Sequence, residues 1–182
     1  NQRPMSATWT VTGSGAYVLG KRKSSACITG ITTGKIIDYG IKDSMNMGAA
    51  MAPAAADTIC QNLKDFGRKP EDYNHIITGD LGSVGREILI DLLKKEGYDI
   101  SEMHLDCGML IYESKAQGTG AGGSGCGCSA VTLAGHFLKQ VEQGKLQRIL
   151  FVPTGALLST VSFNEGKTVP GIAHGVVIEH AE

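Results

Sequence analysis

Residues Gln117–Cys128 read QGTGAGGSGCGC, and half of them are glycine. A glycine string gives up more conformational entropy on ordering than any other stretch of its length. It is kept where the backbone follows a path closed to side chains, or approaches another backbone or a ligand closely. Upstream lies an apolar run ending at Ile111-Tyr112, and downstream a helical run begins near Ser129. The stretch therefore reads as a strand-to-helix loop, and helix N-termini favour anions through their free N–H groups and dipole.

Working outward, Ser129–Gln143 places Val131, Ala134, Phe137, Leu138 and Val141 on one helical face, and Gly144 ends it. Ile149–Val152 is a buried-type strand. Pro153–Ala156 reads as a turn, Leu157–Phe163 as a short extended piece and Ile172–Glu179 as a closing strand. Upstream, His104–Tyr112 is a strand candidate. Before it His75–Thr78 is a short apolar strand, followed by a second glycine-bearing loop, Gly79–Gly85 (GDLGSVG), and a helix carrying Ile88, Leu92 and Leu93. Another helix has Pro53 in its first turn and Ala55, Ile59, Leu63 and Phe66 on one face, with Lys42–Met51 as loop. The first forty residues read as three antiparallel strands, Ala7–Leu19, Ala26–Thr33 and Lys35–Ile41, behind a polar, frayed Asn1–Ser6. Strand–helix alternation in the second half implies parallel pairing, with helices on the sheet's faces. The chain reads as one domain, 1–182.

In such a sheet ligands bind at the strand-to-helix loops. The loops at 79–85 and 117–128 both lie there, so their N–H groups are expected to converge on one anionic ligand. Ser83, Ser124 and Ser129 add hydroxyls. Asp80 either caps backbone N–H groups or serves a pocket as base or ligand contact. Cys126 and Cys128 are small packing residues or, near a helix N-terminus, a candidate nucleophile. They lack the partners of a structural zinc site. Gly118–Gly123 satisfies G-x-G-x-x-G, but the helix does not follow at once and Phe151–Thr154 ends without an acid, which argues against a dinucleotide. His174 is read as a structural histidine and His136 as exposed.

The 182 residues are 42% hydrophobic and 19% charged, with net charge −1 and pI ≈ 6.6. Nothing here suggests nucleic acid, and Lys21-Arg22-Lys23 reads as a solvated turn. No run reaches the length of a membrane span, and no secretory signal pattern opens the chain. Five scattered cysteines fit a reduced, intracellular protein.

HIITGDLGSVGREIL (75–89), the glycine loop running into SAVTLAGHFLKQVEQGKLQRILFV (129–152), and PTGALLS with GIAHGVVIEH at the end resemble the C-terminal half of a thiolase-like protein. More closely, nearly the whole chain resembles that half of a thiolase-like family of sporulation proteins from spore-forming bacteria. The resemblance implies a five-stranded mixed sheet with helices on its faces, a homodimer, and an active site shared with an N-terminal half that carries the family's nucleophilic cysteine. The histidine and the asparagine or second histidine that thiolase-like enzymes place in this half fall here on Gly79 or Asp80 and within Gly125–Cys128. Neither slot holds an imidazole or amide, so no catalytic residue, cofactor or metal is expected. The resemblance implies instead binding of dipicolinic acid, free or calcium-bound, during its transport into the developing spore. Implied partners are the N-terminal half and other proteins of the sporulation operon. The implied location is peripheral to the inner spore membrane. The ligand-contact candidates are Asp80, Ser83, Ser124, Gly125, Cys126 and Gly155. The alternative is an acyl-thioester-using acyltransferase or ketoacyl synthase-like enzyme.

Overall fold

Strands with alternating apolar residues on both faces need cover on both sides, and this requirement sets the architecture. The computed structural model describes residues 3–22 and 24–181. Asn1 and Gln2 of the expected frayed end and Lys23 of the basic turn lie outside them.

In chain order the elements are β1 (Trp9–Thr10), β2 (Ala26–Thr32), α1 (Met47–Asp65), β3 (His75–Thr78), α2 (Gly82–Lys95), β4 (His104–Asp106), α3 (Cys107–Leu110), α4 (Ser114–Gln117), β5 (Gly123–Ser124) and α5 (Cys126–Thr132). A π-helical segment, Leu133–Phe137, then joins α5 to α6 (Leu138–Glu142). The chain ends with β6 (Arg148–Val152), β7 (Thr154–Ala156), α7 (Thr160–Asn164), β8 (Gly171–Ala173) and β9 (Gly175–His180).

The main sheet has five strands in the order β2-β9-β6-β3-β4. β3 pairs parallel with β4 and β6, while β9 runs antiparallel to β6 and β2. It is the five-stranded mixed sheet that the family resemblance implies. Side-chain alternation divides the core in two. Ile76, Leu150, Val152 and Val177 pack against Ile59 and Leu63 of α1 and Leu89 and Leu93 of α2. Ile77, Ile149, Phe151 and Ile178 face the other way, onto Leu133, Phe137 and Val141. Of the apolar face expected for 129–143, Phe137, Leu138 and Val141 cover this side of the sheet, whereas Val131 and Ala134 stay outside the cluster and Leu133 packs there instead. The helical run begins three residues earlier than expected, at Cys126.

The expected three-stranded antiparallel meander over 7–41 is not formed. Of its first strand only Trp9–Thr10 pairs, parallel to β5. Lys35–Ile41 contributes a single bridge, Ile37 to Gly171, and β2 pairs with β9, not with its chain neighbours. β-branched composition favours a pleated, half-buried surface, but the partner decides whether a strand exists. Gly34 sits against the Ala173 backbone with no room for a side chain and donates to His174 Nδ1 at 3.0 Å, which turns the chain away from β2. That bond gives His174 its structural place.

Four local readings also change. Pro53 lies inside α1, whose start is six residues earlier and capped by Asn46 accepting from Ala49 N at 3.3 Å. β4 stops at Asp106, because that residue caps α3. Pro153–Ala156 is not only a turn: Thr154–Ala156 pairs antiparallel with β8. Leu157–Phe163 is not extended, because Ser159 and Ser162 form a capping box that starts α7.

Candidate functional site

The ends of β3, β4 and β6 bring three turns to one corner. After Thr78 the chain passes Gly79, Asp80 and Leu81 into α2, and each N–H from Asp80 to Ser83 is occupied. Asp80 N donates to Thr154 Oγ1 (3.1 Å). Leu81 N donates to Asp106 Oδ2 (2.9 Å) and Gly82 N to Asp106 Oδ1 (3.0 Å). Ser83 N donates to the Ala121 carbonyl at 2.9 Å. Gly82 is required here, since its φ is +66° and a Cβ would stand 2.7 Å from Ala121 O. The expectation that this loop offers N–H groups to an external anion is corrected accordingly. The anion in its nest is the protein's own Asp106.

Asp106 is 2% exposed and accepts two further bonds, from Thr78 Oγ1 (2.7 Å) and Met109 N (3.2 Å). Burial pushes its carboxyl up, against the pull of these donors. Thr78 Oγ1 also lies 3.0 Å from His104 Nε2. Burial, helped by the Arg86 charge, lowers the His104 pKa to about 3, so this imidazole is neutral at physiological pH.

Asp80 bridges the corner. Its Oδ2 accepts from Gly125 N at 2.9 Å, and its Oδ1 accepts from Thr154 Oγ1 at 2.8 Å. Burial raises its pKa, while these two donors favour the ionised form. Of the two roles read for Asp80, the capping role is what the geometry displays. The second glycine loop meets this corner at Gly125, the residue before α5, with φ of +101°. Other glycines of that loop serve close backbone approach. A Cβ on Gly122 would stand 2.6 Å from Gly108 O, and one on Gly127 2.5 Å from Gly13 O.

Of the six ligand-contact candidates, Asp80 and Gly125 are hydrogen-bonded to each other, and Ser124 and Cys126 flank Gly125. Ser124 Oγ accepts from Thr8 Oγ1 at 2.8 Å. Gly155 follows Thr154 in β7, and pairs with Ile172 of β8. Ser83 joins the glycine loop through its backbone bond to Ala121 O. The thiols differ. Cys126 is exposed. Cys128 is buried, its Sγ donating to Gly79 O at 3.6 Å. Burial and the Asp80 and Asp106 charges push it up to about 12. Cys107 is likewise raised, chiefly by burial. Among the described residues no group of three or more His, Cys, Asp or Glu is placed to hold a metal ion.

Sequence reasoning misses Asp106, Thr78, His104 and Thr154. A legible signal exists: an acid three residues into a short strand candidate, directly before Cys107-Gly108, can end the strand and cap a helix starting there. Running the strand on to Tyr112 hides it.

The corner defines a mixed α/β protein whose strand-to-helix turns meet at one end of the sheet, tied together by two internal carboxylates. The family model for Stage V sporulation protein AD matches residues 1–179. Stage V sporulation protein AD of Bacillus subtilis (strain 168) is 52% identical over 180 residues, covering 99% of this chain and 53% of that protein. The chain belongs to the stage V sporulation protein AD family, and it spans about half the length of this curated relative. Among solved structures, a tetronic acid condensing enzyme is similar with TM-score 0.46 and 13% identity, over 87% of this chain and 48% of that one. The 3-oxoacyl-(acyl-carrier-protein) synthase III of Aquifex aeolicus is similar with TM-score 0.45 and 12% identity, over 88% and 46% respectively. Among the described residues no helix is long and apolar enough to cross a membrane.

Proposed function

We propose that this chain is part of a non-catalytic sporulation protein that binds dipicolinic acid, free or as its calcium chelate, in its passage into the developing spore. The ligand would meet the corner formed by Asp80, Ser83, Ser124, Gly125, Cys126 and Gly155. The observation that carries the reading is the state of Asp80. Acyl transfer in a thiolase-like site calls for an imidazole and an amide to stabilise an oxyanion and move protons. Here the corresponding turn carries a carboxylate already engaged by Gly125 N–H and the Thr154 hydroxyl. Its oxygens are committed to these internal donors, and the turn offers no imidazole or amide to stabilise an oxyanion. The buried thiols of Cys107 and Cys128 are held protonated, which makes them poor nucleophiles.

Calorimetric titration of dipicolinate, with and without calcium, into the full-length gene product and into the 182-residue chain tests this. Saturable binding to the full-length protein is expected. Its absence from the chain alone would mean that the remaining part completes the pocket. No dipicolinate binding to either, with tight binding of an acyl-thioester, would return the protein to the acyltransferases.

We further propose that the exposed apolar residues Val18, Leu19, Ile31 and Val161 are covered in the working assembly, by the N-terminal half of the protein and by homodimer formation. Light scattering after size exclusion checks this, since a monomer at high concentration contradicts association of the chain alone. Attachment to the spore membrane would be peripheral, through other proteins of the sporulation operon.

A further inference from the structure

At the back of the candidate corner, Thr78 and Asp106 are opposite one another on neighbouring parallel strands, and His104 is opposite Ile76 in the same register. All three are buried. The hydroxyl of Thr78 has one proton. With Asp106 Oδ2 at 2.7 Å, it is given to the carboxylate, so His104 Nε2, at 3.0 Å, supplies the proton that Thr78 Oγ1 accepts. This fixes the imidazole as the Nε2–H tautomer, and Nδ1 is a bare buried acceptor with no partner among the described residues. The chain of bonds runs from His104 through Thr78 to Asp106. From Asp106 it reaches Leu81 N and Gly82 N, the two amides that follow Asp80.

We propose that His104, Thr78 and Asp106 form a buried relay whose task is to position the Gly79–Gly82 turn and so to hold Asp80 between Gly125 and Thr154, which shapes the candidate site. The proposal rests on the reading that this corner binds the ligand. The relay works through geometry. The Thr78 hydroxyl, oriented by the imidazole, holds Oδ2 of Asp106 in place. Both carboxylate oxygens then grip successive amides and fix the left-handed residue Gly82. Asp80 is thereby set between Gly125 and Thr154. Charge-assisted bonds to backbone amides are stronger than neutral ones, so the turn's shape depends on Asp106 remaining an anion with a partner on its far oxygen. All three are buried beneath the turn, and they are positioning residues.

The test compares Thr78→Val, Thr78→Ser and His104→Phe with the unaltered full-length protein, by amide hydrogen exchange and by dipicolinate titration. Thr78→Val and His104→Phe are expected to speed exchange at Leu81 and Gly82 by about tenfold and to weaken dipicolinate binding by a comparable factor. Exchange at Ile59 in α1 stays unchanged. Thr78→Ser, which keeps the hydroxyl, restores both. A ring 15N spectrum should show a protonated Nε2 and an unprotonated Nδ1 for His104. Equal acceleration at Ile59 and at Leu81 overturns the proposal, since the relay would then act only on global stability. So does Thr78→Val behaving as wild type, or the opposite tautomer. Local acceleration with unaltered dipicolinate affinity overturns the link to Asp80 while leaving the binding function standing. If the unaltered protein binds no dipicolinate, the binding reading fails, and the exchange comparison still decides whether the relay shapes the turn.

Discussion

The two glycine-bearing turns at the candidate corner are built by different physics. The turn at 79–83 is held by charge: the amides of Leu81 and Gly82 end on Asp106, and Asp80 projects from it to the other loop. The loop at 117–128 is held by closeness. Its glycines let backbone lie on backbone, Gly122 on Gly108 and Gly127 on Gly13, and its contribution to Asp80 is one amide, Gly125 N. Glycine content therefore does not by itself indicate a ligand cradle. The loop with fewer glycines supplies the nest, and an internal carboxylate occupies it. The glycine-rich loop supplies proximity.

The contrast predicts that the first turn fails when its charge is removed and the second when a methyl group is added. Asp106→Ala leaves Leu81, Gly82, Met109 and Thr78 without their acceptor. It should cost about 3–5 kcal/mol in urea unfolding at neutral pH. A loss near zero would break the comparison, because the turn would then hold without its anion. Gly122→Ala, with φ of +132° and Gly108 O in the way, should cost about 2–4 kcal/mol by the same measurement. Gly97→Ala, with a left-handed φ of +87° but open space around it, should cost only about 1–2 kcal/mol. If the two glycine variants lose equal amounts, close approach is not what Gly122 serves.

The pH dependence sharpens the charged side. His104 has its pKa lowered from 6.5 to about 3 in the folded protein. The unfolded chain therefore takes up a proton that the folded chain refuses. The stability this group confers is complete above about 6.5 and is lost as pH falls toward about 3. Through that window the slope is about 1.4 kcal/mol per pH unit. His104→Gln removes that part of the slope, and unfolding curves at stepped pH measure it. An unchanged slope would mean that the imidazole titrates normally. The smallest effect falls on the exposed thiol. Cys126→Ser should change stability by less than about 0.5 kcal/mol, and alkylation followed by peptide mapping should modify Cys126 well before Cys107 or Cys128.

The sheet core is legible in the sequence because its signals are local. Ile76-Ile77 and Ile149–Val152 are short apolar runs between turns, and Phe137 and Val141 repeat at helical spacing. Each of these signals needs no knowledge of its partner. The amino-terminal third misleads because a strand requires one. Ala7–Leu19 has strand composition, yet among the described residues only its Trp9–Thr10 stretch joins a ladder. Capping chemistry is the other loss. Asp106 reads as one polar residue in an apolar run until the end of β4 is fixed, and that end is set by the carboxylate's own bond to Met109 N. Asp80 and Gly125, 45 positions apart, stand out for separate reasons. That they share a hydrogen bond is a tertiary fact that no local pattern encodes.

The proposal that this corner binds without catalysing has one most direct test. The full-length protein is incubated with an acyl-thioester, its intact mass is recorded, and dipicolinate is then titrated into the same sample. An unchanged mass and saturable binding of dipicolinate are expected. A stable acyl adduct, mapped to Cys126 or to any other residue, together with no response to dipicolinate, would contradict the proposal.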